Sequence, residues 1–104
     1  MSNRFYARLT PLPDGSAMVS LVDEELLGKR FRDQRGVTID VSRRFYEGEL
    51  ISEEGARELM REASVLILVG SRAVAIAIEM ELVNPEAVLW VQGVAYAQVF
   101  KVSY

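Results

Sequence analysis

Val65-Leu66-Ile67-Leu68-Val69 is a run of five apolar residues that ends at Gly70 and continues through Ser71-Arg72 into an apolar segment reaching Leu82. A strand covered on both faces is written this way, because neither face calls for polar alternation. From Arg72 to Leu82 the only charges are Arg72, Glu79 and Glu81, and Ala73, Ala75 and Ala77 permit close backbone approach. That pattern predicts a helix, stopped by Asn84-Pro85. A chain built around a doubly covered strand must lay other elements on both sides of it. With 104 residues, half of them apolar, there is material for one such domain, spanning 1–104.

The flanking segments supply the layers. Phe5 to Leu9 alternates as a strand, and Ala17 to Val22 reads as its return. Between them Pro11-Leu12-Pro13-Asp14-Gly15 is a turn, since proline fixes φ and glycine takes left-handed positions, so the two strands make a hairpin. Asp23 is placed to cap a short helical turn through Leu27, which Gly28 ends. Val37, Ile39 and Val41 alternate with Thr38 and Asp40, the period of a half-buried strand. Phe45-Tyr46-Glu47-Gly48 reads as a loop. Ser52 caps a helix with Glu53 and Glu54 in its first turn, where the dipole favours them, and with Ala56, Leu59, Met60 and Ala63 on one face. Val88 to Val91 and Val94 to Val102 are strands joined at Gln92-Gly93. Strand, helix and strand in the middle of the chain suggest a right-handed parallel crossover. The expected class is α/β, or α+β: a mixed sheet with an N-terminal hairpin and a central βαβ crossover.

Composition removes several chemistries. There is no cysteine and no histidine. Disulfides, thiolate metal sites and Ser-His-Asp or Cys-His catalysis within the chain are therefore excluded. The net charge of −3 gives no global pull toward nucleic acid or an anionic membrane. Met1-Ser2-Asn3-Arg4 is not followed by an apolar run of signal-peptide type, and no apolar stretch is long enough to span a bilayer. A cytoplasmic protein is expected, with no cofactor, no metal ligands and no membrane partner.

The charges are unevenly spread. Residues 29–44 hold Lys29, Arg30, Arg32, Arg35, Arg43 and Arg44 against Asp33 and Asp40, a local +4. Residues 47–62 hold six glutamates against Arg57 and Arg61, a local −4. Phe31, Phe45 and Tyr46 interleave with the basic residues. Arginine grips phosphate and aromatic rings stack on unpaired bases, so this segment is a candidate nucleic-acid surface. The plainer alternative is a solvated face paired with the acidic helix beside it. A second candidate is Gly70-Ser71-Arg72. Free N–H groups at a helix start attract anions, and a cation in the first turn opposes the dipole unless something compensates it. The alternative is a serine cap with the arginine extended to water. A third is acidic: Asp23, Glu25 and Glu49 could serve a metal-dependent enzyme if they converged. Gln98 and Tyr96 are polar residues in an otherwise apolar strand and face either a cleft or an edge.

These segments together resemble a known family. Asp23-Glu24-Glu25-Leu26-Leu27-Gly28-Lys29 is similar to the opening signature of an archaeal family, domain of unknown function 424. Asp40-Val41-Ser42, Phe45-Tyr46-Glu47-Gly48-Glu49, Leu68-Val69-Gly70, Gly93-Val94 and Ala97-Gln98-Val99-Phe100 follow in the same order. The resemblance covers nearly the whole chain. It implies an archaeal protein associated with translation, whose biochemistry the family name leaves open. The chain departs from the family pattern at Ile67, where an asparagine often stands, and at Ala95-Tyr96, where a proline–histidine pair often stands. If those polar residues are catalytic in the family, this member lacks them, which favours binding over catalysis.

The expected function is a non-catalytic RNA- or ribonucleoprotein-binding domain. Lys29, Arg30, Arg32, Arg35, Arg43 and Arg44 would contact phosphates, Phe31, Phe45 or Tyr46 would stack, and Gly70-Ser71-Arg72 would seat one phosphate. A protein-interaction module or homodimer using the apolar C-terminal strand and Trp90 is the alternative. A metal-dependent enzyme is the third.

Overall fold

The structure, a computed structural model, describes residues 3–101. Val102, expected at the end of the last strand, lies outside the described residues. In chain order the elements begin with β1 (Arg4–Pro11), β2 (Ala17–Asp23), a 3₁₀ turn at Glu24–Leu26, β3 (Arg30–Arg32) and β4 (Thr38–Asp40). Then come α1 (Arg43–Tyr46), β5 (Glu49–Ser52), α2 (Glu53–Glu62), β6 (Val65–Val69) and α3 (Ser71–Glu79). A 3₁₀ turn at Pro85–Ala87 leads to β7 (Leu89–Val91) and β8 (Val94–Phe100).

Six strands form one mixed sheet in the order β5-β1-β2-β6-β8-β7, and β3 and β4 form a separate small ribbon. β1 and β2 make the expected hairpin, with Phe5 opposite Asp23 and Pro11 opposite Ala17. β2 and β6 run parallel, and the other neighbours in the large sheet are antiparallel. β7 runs in the direction of β6, with β8 between them. The unit around α3 is thus a βαβ crossover split by an inserted strand. Helices and strands do not alternate regularly, so α+β describes the domain better than α/β.

Strand alternation sorts the sheet into two faces. Phe5, Leu21, Leu66 and Leu68 point to one side, where Met60 of α2 and Val74 of α3 seal a core. Val22, Val69 and Val91 point to the other, where Leu27, Ile39 and Val41 form a smaller core under β3, β4 and α1. β6 is the doubly covered strand its sequence promised, but only in part. Val69 is buried on the second face, whereas Ile67 there is partly open.

Local chemistry explains the element ends. The Ser52 hydroxyl accepts from the Gly55 N–H at 3.2 Å and starts α2 as expected. Lys101, just past β8, donates its ammonium to the carbonyls of Met60 and Arg61, which serve the other end of that helix. α3 stops at Glu79, earlier than Leu82. Glu81 takes a positive φ of 62°, and the Leu82 and Glu81 N–H groups close back on the carbonyls of Ala77 and Ile78. That is a Schellman stop made without glycine, which is why the sequence did not show it. Asn84 instead caps the following 3₁₀ turn, accepting from the Glu86 N–H at 3.0 Å. The segment expected as a loop at Phe45 contributes to a four-residue helix, α1. Gly48 follows it because a Cβ there would lie 2.1 Å from the Ala7 carbonyl oxygen. The close approach of these backbones holds α1 against β1.

Candidate nucleic-acid interface

The α3 helix start, expected as an anion site, is filled from within. Gly70 is its N-cap, and Ser71 is the first helical residue rather than the cap. The Asp23 carboxylate accepts the Arg72 N–H at 3.0 Å and the Ala73 N–H at 2.9 Å. Asp23 occupies the cap position of its own 3₁₀ turn but makes no side-chain cap there. Gly70 sits at φ 111°, and a Cβ on it would lie 2.2 Å from Asp23 Cγ. Burial raises the Asp23 pKa above its ordinary 3.8, against the lowering effect of the two backbone bonds and of Arg72. Arg72 opposes the helix dipole, and its compensation is visible: Glu25 lies 2.6 Å from its guanidinium, which also stands 5.8 Å from the Phe5 ring centre. Burial acts to lower the Arg72 pKa, but Glu25 and Asp23 outweigh it and hold the group charged. An external anion would have to displace Asp23.

The carboxylates considered for metal chemistry do not converge. Asp23 and Glu25 are engaged with α3, while Glu49 lies on edge strand β5 opposite Ala7. Among the described residues no group of three His, Cys, Asp or Glu could hold a metal ion.

The basic segment, by contrast, is gathered in one layer, the cover of the second face. Arg30 and Arg32 lie exposed on β3, with Phe31 between them turned toward the smaller core. Arg35 is held by Asp33, with Nε 2.8 Å from the carboxylate, and also donates to the Trp90 carbonyl at 3.1 Å. Its guanidinium keeps the Asp33 carboxyl below the usual range. Arg43 pairs with Glu47 at 3.2 Å, one turn along. Lys29, Arg30, Arg32 and Arg44 make no ion pair among the described residues. Two of the six cations are thus neutralised locally and four are available. None pairs with a glutamate of α2, so the acidic helix does not explain the basic layer.

Beside this layer the second face opens into a cleft of about 460 Å³. Its floor is the sheet itself: Met18 and Ser20 of β2 and Ile67 of β6. Phe45 and Tyr46 of α1 form one wall, with Tyr96 of β8 also lining the space. Arg8 and Thr10 of β1 close another side, with Asp40 at the end of β4 and Ser42 at the N-cap of α1. Arg8 is anchored by donating to the Arg44 carbonyl, and Gln98 donates to the Tyr96 hydroxyl at 2.7 Å. Phe45 is 67% exposed at the rim, and the Arg44 guanidinium lies 5.9 Å from its ring centre. Burial raises the Tyr46 hydroxyl pKa, helped by Tyr96 and by the negative charge of Asp40. The size, the mostly apolar lining and the few polar groups are those of a ligand pocket.

Sequence reading singled out Phe45 and Tyr46, and Tyr96 as facing a cleft or an edge, but assigned no site role to Arg8, Asp40 or Ser42, which also line the cleft. The signal was present in β1, where Tyr6, Arg8 and Thr10 give one face a polar character. Only the pairing of β1 with β2 shows that this face meets Ser20 rather than solvent.

The family model described as "Protein of unknown function (DUF424)" matches residues 13–102. The chain belongs to this family. No curated protein matches it. Among solved structures, an uncharacterized conserved protein from Methanopyrus kandleri, an archaeon, is similar at 21% identity with a TM-score of 0.73, covering 97% of this chain and 96% of that one. At that identity the likeness concerns the fold. Within the DUF424 domain, Ile67 is the floor of the cleft and Tyr96 lines it. In this DUF424 member the cleft is therefore aromatic and apolar at those two positions. Among the described residues no helix is long and apolar enough to cross a membrane.

Proposed function

We propose that this DUF424 protein binds single-stranded RNA, alone or within a ribonucleoprotein, through the second face of its sheet, in the translation setting the family resemblance implies. Lys29, Arg30, Arg32 and Arg44 supply the phosphate contacts. Phe45, Tyr46 and Tyr96 supply stacking surfaces, with Phe31 committed to the core beneath. The observation that carries this reading is Phe45, two-thirds exposed at the mouth of an aromatic cleft with the Arg44 guanidinium over its ring. An arginine beside an open aromatic ring suits a phosphate next to an unstacked base. A phosphate at Gly70-Ser71-Arg72 would displace Asp23, so the contacts come from the second face alone. A homodimer built on the C-terminal strands would call for Trp90 and Phe100 in one patch. Trp90 pairs with Ala95 of the helix-side face, whereas Phe100 pairs with Val65 of the other, so RNA is the preferred partner.

Fluorescence anisotropy with a labelled single-stranded RNA tests the proposal. Affinity should fall as salt rises, with a log–log slope near −0.7 per phosphate contacted. Arg30→Ala, Arg32→Ala and Arg44→Ala should each weaken binding and flatten the slope. Salt-insensitive binding, or arginine variants that bind like the parent chain, would count against it.

A further inference from the structure

The second face is sealed at one end, at Val22 and Val69, and stays open at the other. At the open end the register sets Thr10, Met18, Val65 and Phe100 side by side, one from each of β1, β2, β6 and β8. Thr10 is exposed, Met18 and Val65 are half-buried, and Phe100 is 66% exposed. Along β8 the residues of this face run from Tyr96 in the cleft through the exposed Gln98 to Phe100. Gln98 donates to the Tyr96 hydroxyl at 2.7 Å, so the first two are already linked. The lining of the cleft thus continues along β8 to a second open ring, at the end of the sheet away from the Val22 and Val69 core.

We infer that the RNA strand leaves the cleft along β8 and that Phe100 stacks a further base, so that the site is a track with an open aromatic ring at each end. This rests on the RNA reading above. Alternate residues of a strand point to one side and stand about 6.6 Å apart, so Tyr96, Gln98 and Phe100 offer three contact points over about 13 Å. An extended polynucleotide advances by a similar step per nucleotide, and a ring accepts any base because every base has a π-face. Charge agrees with this occupant. On the Phe100 row and on the next, which runs from Arg8 through Ser20 and Ile67 to Gln98, the one ionised side chain is Arg8. It makes no ion pair among the described residues, so a phosphate crossing these rows meets a cation and no carboxylate. A protein partner fits the strip less well. Met18, Val65 and Phe100 are three side chains, whereas a stable protein interface takes roughly 20 residues a side. One open ring suffices for a stacked base.

The test uses the full chain and a labelled hexauridylate, with anisotropy followed across a salt series. Phe100→Ala should weaken binding about tenfold, the loss of one stacked base. It should leave the salt slope as it is, because a ring releases no counterions, whereas Arg44→Ala flattens that slope. Phe100→Tyr keeps the ring and should bind like the parent chain. The side chain is largely in water, so both variants should fold, and their urea midpoints check this. Hexauridylate affinity that Phe100→Ala leaves intact would overturn the track and leave RNA binding standing. A dimer of the free protein that Phe100→Ala dissolves in sedimentation would do the same, since the strip would then be a contact between copies. No binding of hexauridylate by the parent chain at low salt would overturn both.

Discussion

The two faces of the central sheet are made by alternate residues of the same strands, yet they are finished differently. On the helix side Leu66 and Leu68 are fully buried beneath α2 and α3. On the other side Val69 is buried but Ile67 is left as the floor of a cleft, roofed by short elements that carry the basic residues. The first face needs two regular helices and gains most of the apolar burial. The second is covered by a three-residue ribbon and a four-residue helix, too little to close it. Closure on one side leaves the other free to carry polar and aromatic groups in the open.

Neighbouring residues on β6 give the sharpest way to break this contrast. Leu68→Ala should cost about 3 kcal/mol, the range for emptying a sealed core site. Ile67→Ala, one residue away on the other face, should cost about 1 kcal/mol, because its site already meets solvent. Urea denaturation measures both, and equal losses would mean that the second face is closed. Next in size, Gly70→Ala should cost about 2 kcal/mol, since the left-handed backbone and the Asp23 carboxylate both oppose a side chain there.

Asp23→Ala should cost about 1 kcal/mol by removing the cap of α3. The pH dependence of that residue has a defined sign. Its folded pKa lies above 3.8, so the stability it contributes is fully present below 3.8 and is lost as pH rises through the raised folded value. Stability of the parent chain relative to Asp23→Asn should therefore fall as pH rises from about 3 toward neutrality, following the raised pKa direction. A relative gain over that window would show that the backbone bonds outweigh burial. The smallest stability effect is expected at Phe45→Ala, within about 0.5 kcal/mol because the ring is exposed. The same change should weaken RNA binding about tenfold, as loss of a stacked base does. A residue that matters for binding and hardly for folding is the signature of the open face.

How much of this was legible in the sequence follows the same division. The hairpin, the Ser52-capped helix and the central strand were readable because their periodicity or capping residues are local. Two strands were not. β3 is only Arg-Phe-Arg, whose charge hides its alternation, and β5 is a short edge strand whose partner β1 lies far away in sequence. Arg72 could be seen to sit against its helix dipole, but its compensation by Asp23 and Glu25 spans nearly fifty positions and depends on β2 lying beside β6. The cleft showed in the sequence only through Tyr96, for a related reason. Arg8, Ser20, Ile67 and Tyr96 belong to four strands, and only the register places them on one surface. Phe45 and Tyr46 could be singled out, since their type and their arginine neighbours are local features, but nothing local says that one stays exposed while the other lines the wall.

The central claim is that the second face, and not the helix side, meets RNA. Titrating the isotopically labelled protein with a short single-stranded RNA and following amide chemical shifts tests it directly. Shifts should concentrate at residues 29–32 and 40–46, at Arg8 and Ser20, and at Tyr96, while α2 and the exposed side of α3 stay unmoved. Shifts centred on α2 and α3, or none at low salt, would contradict it.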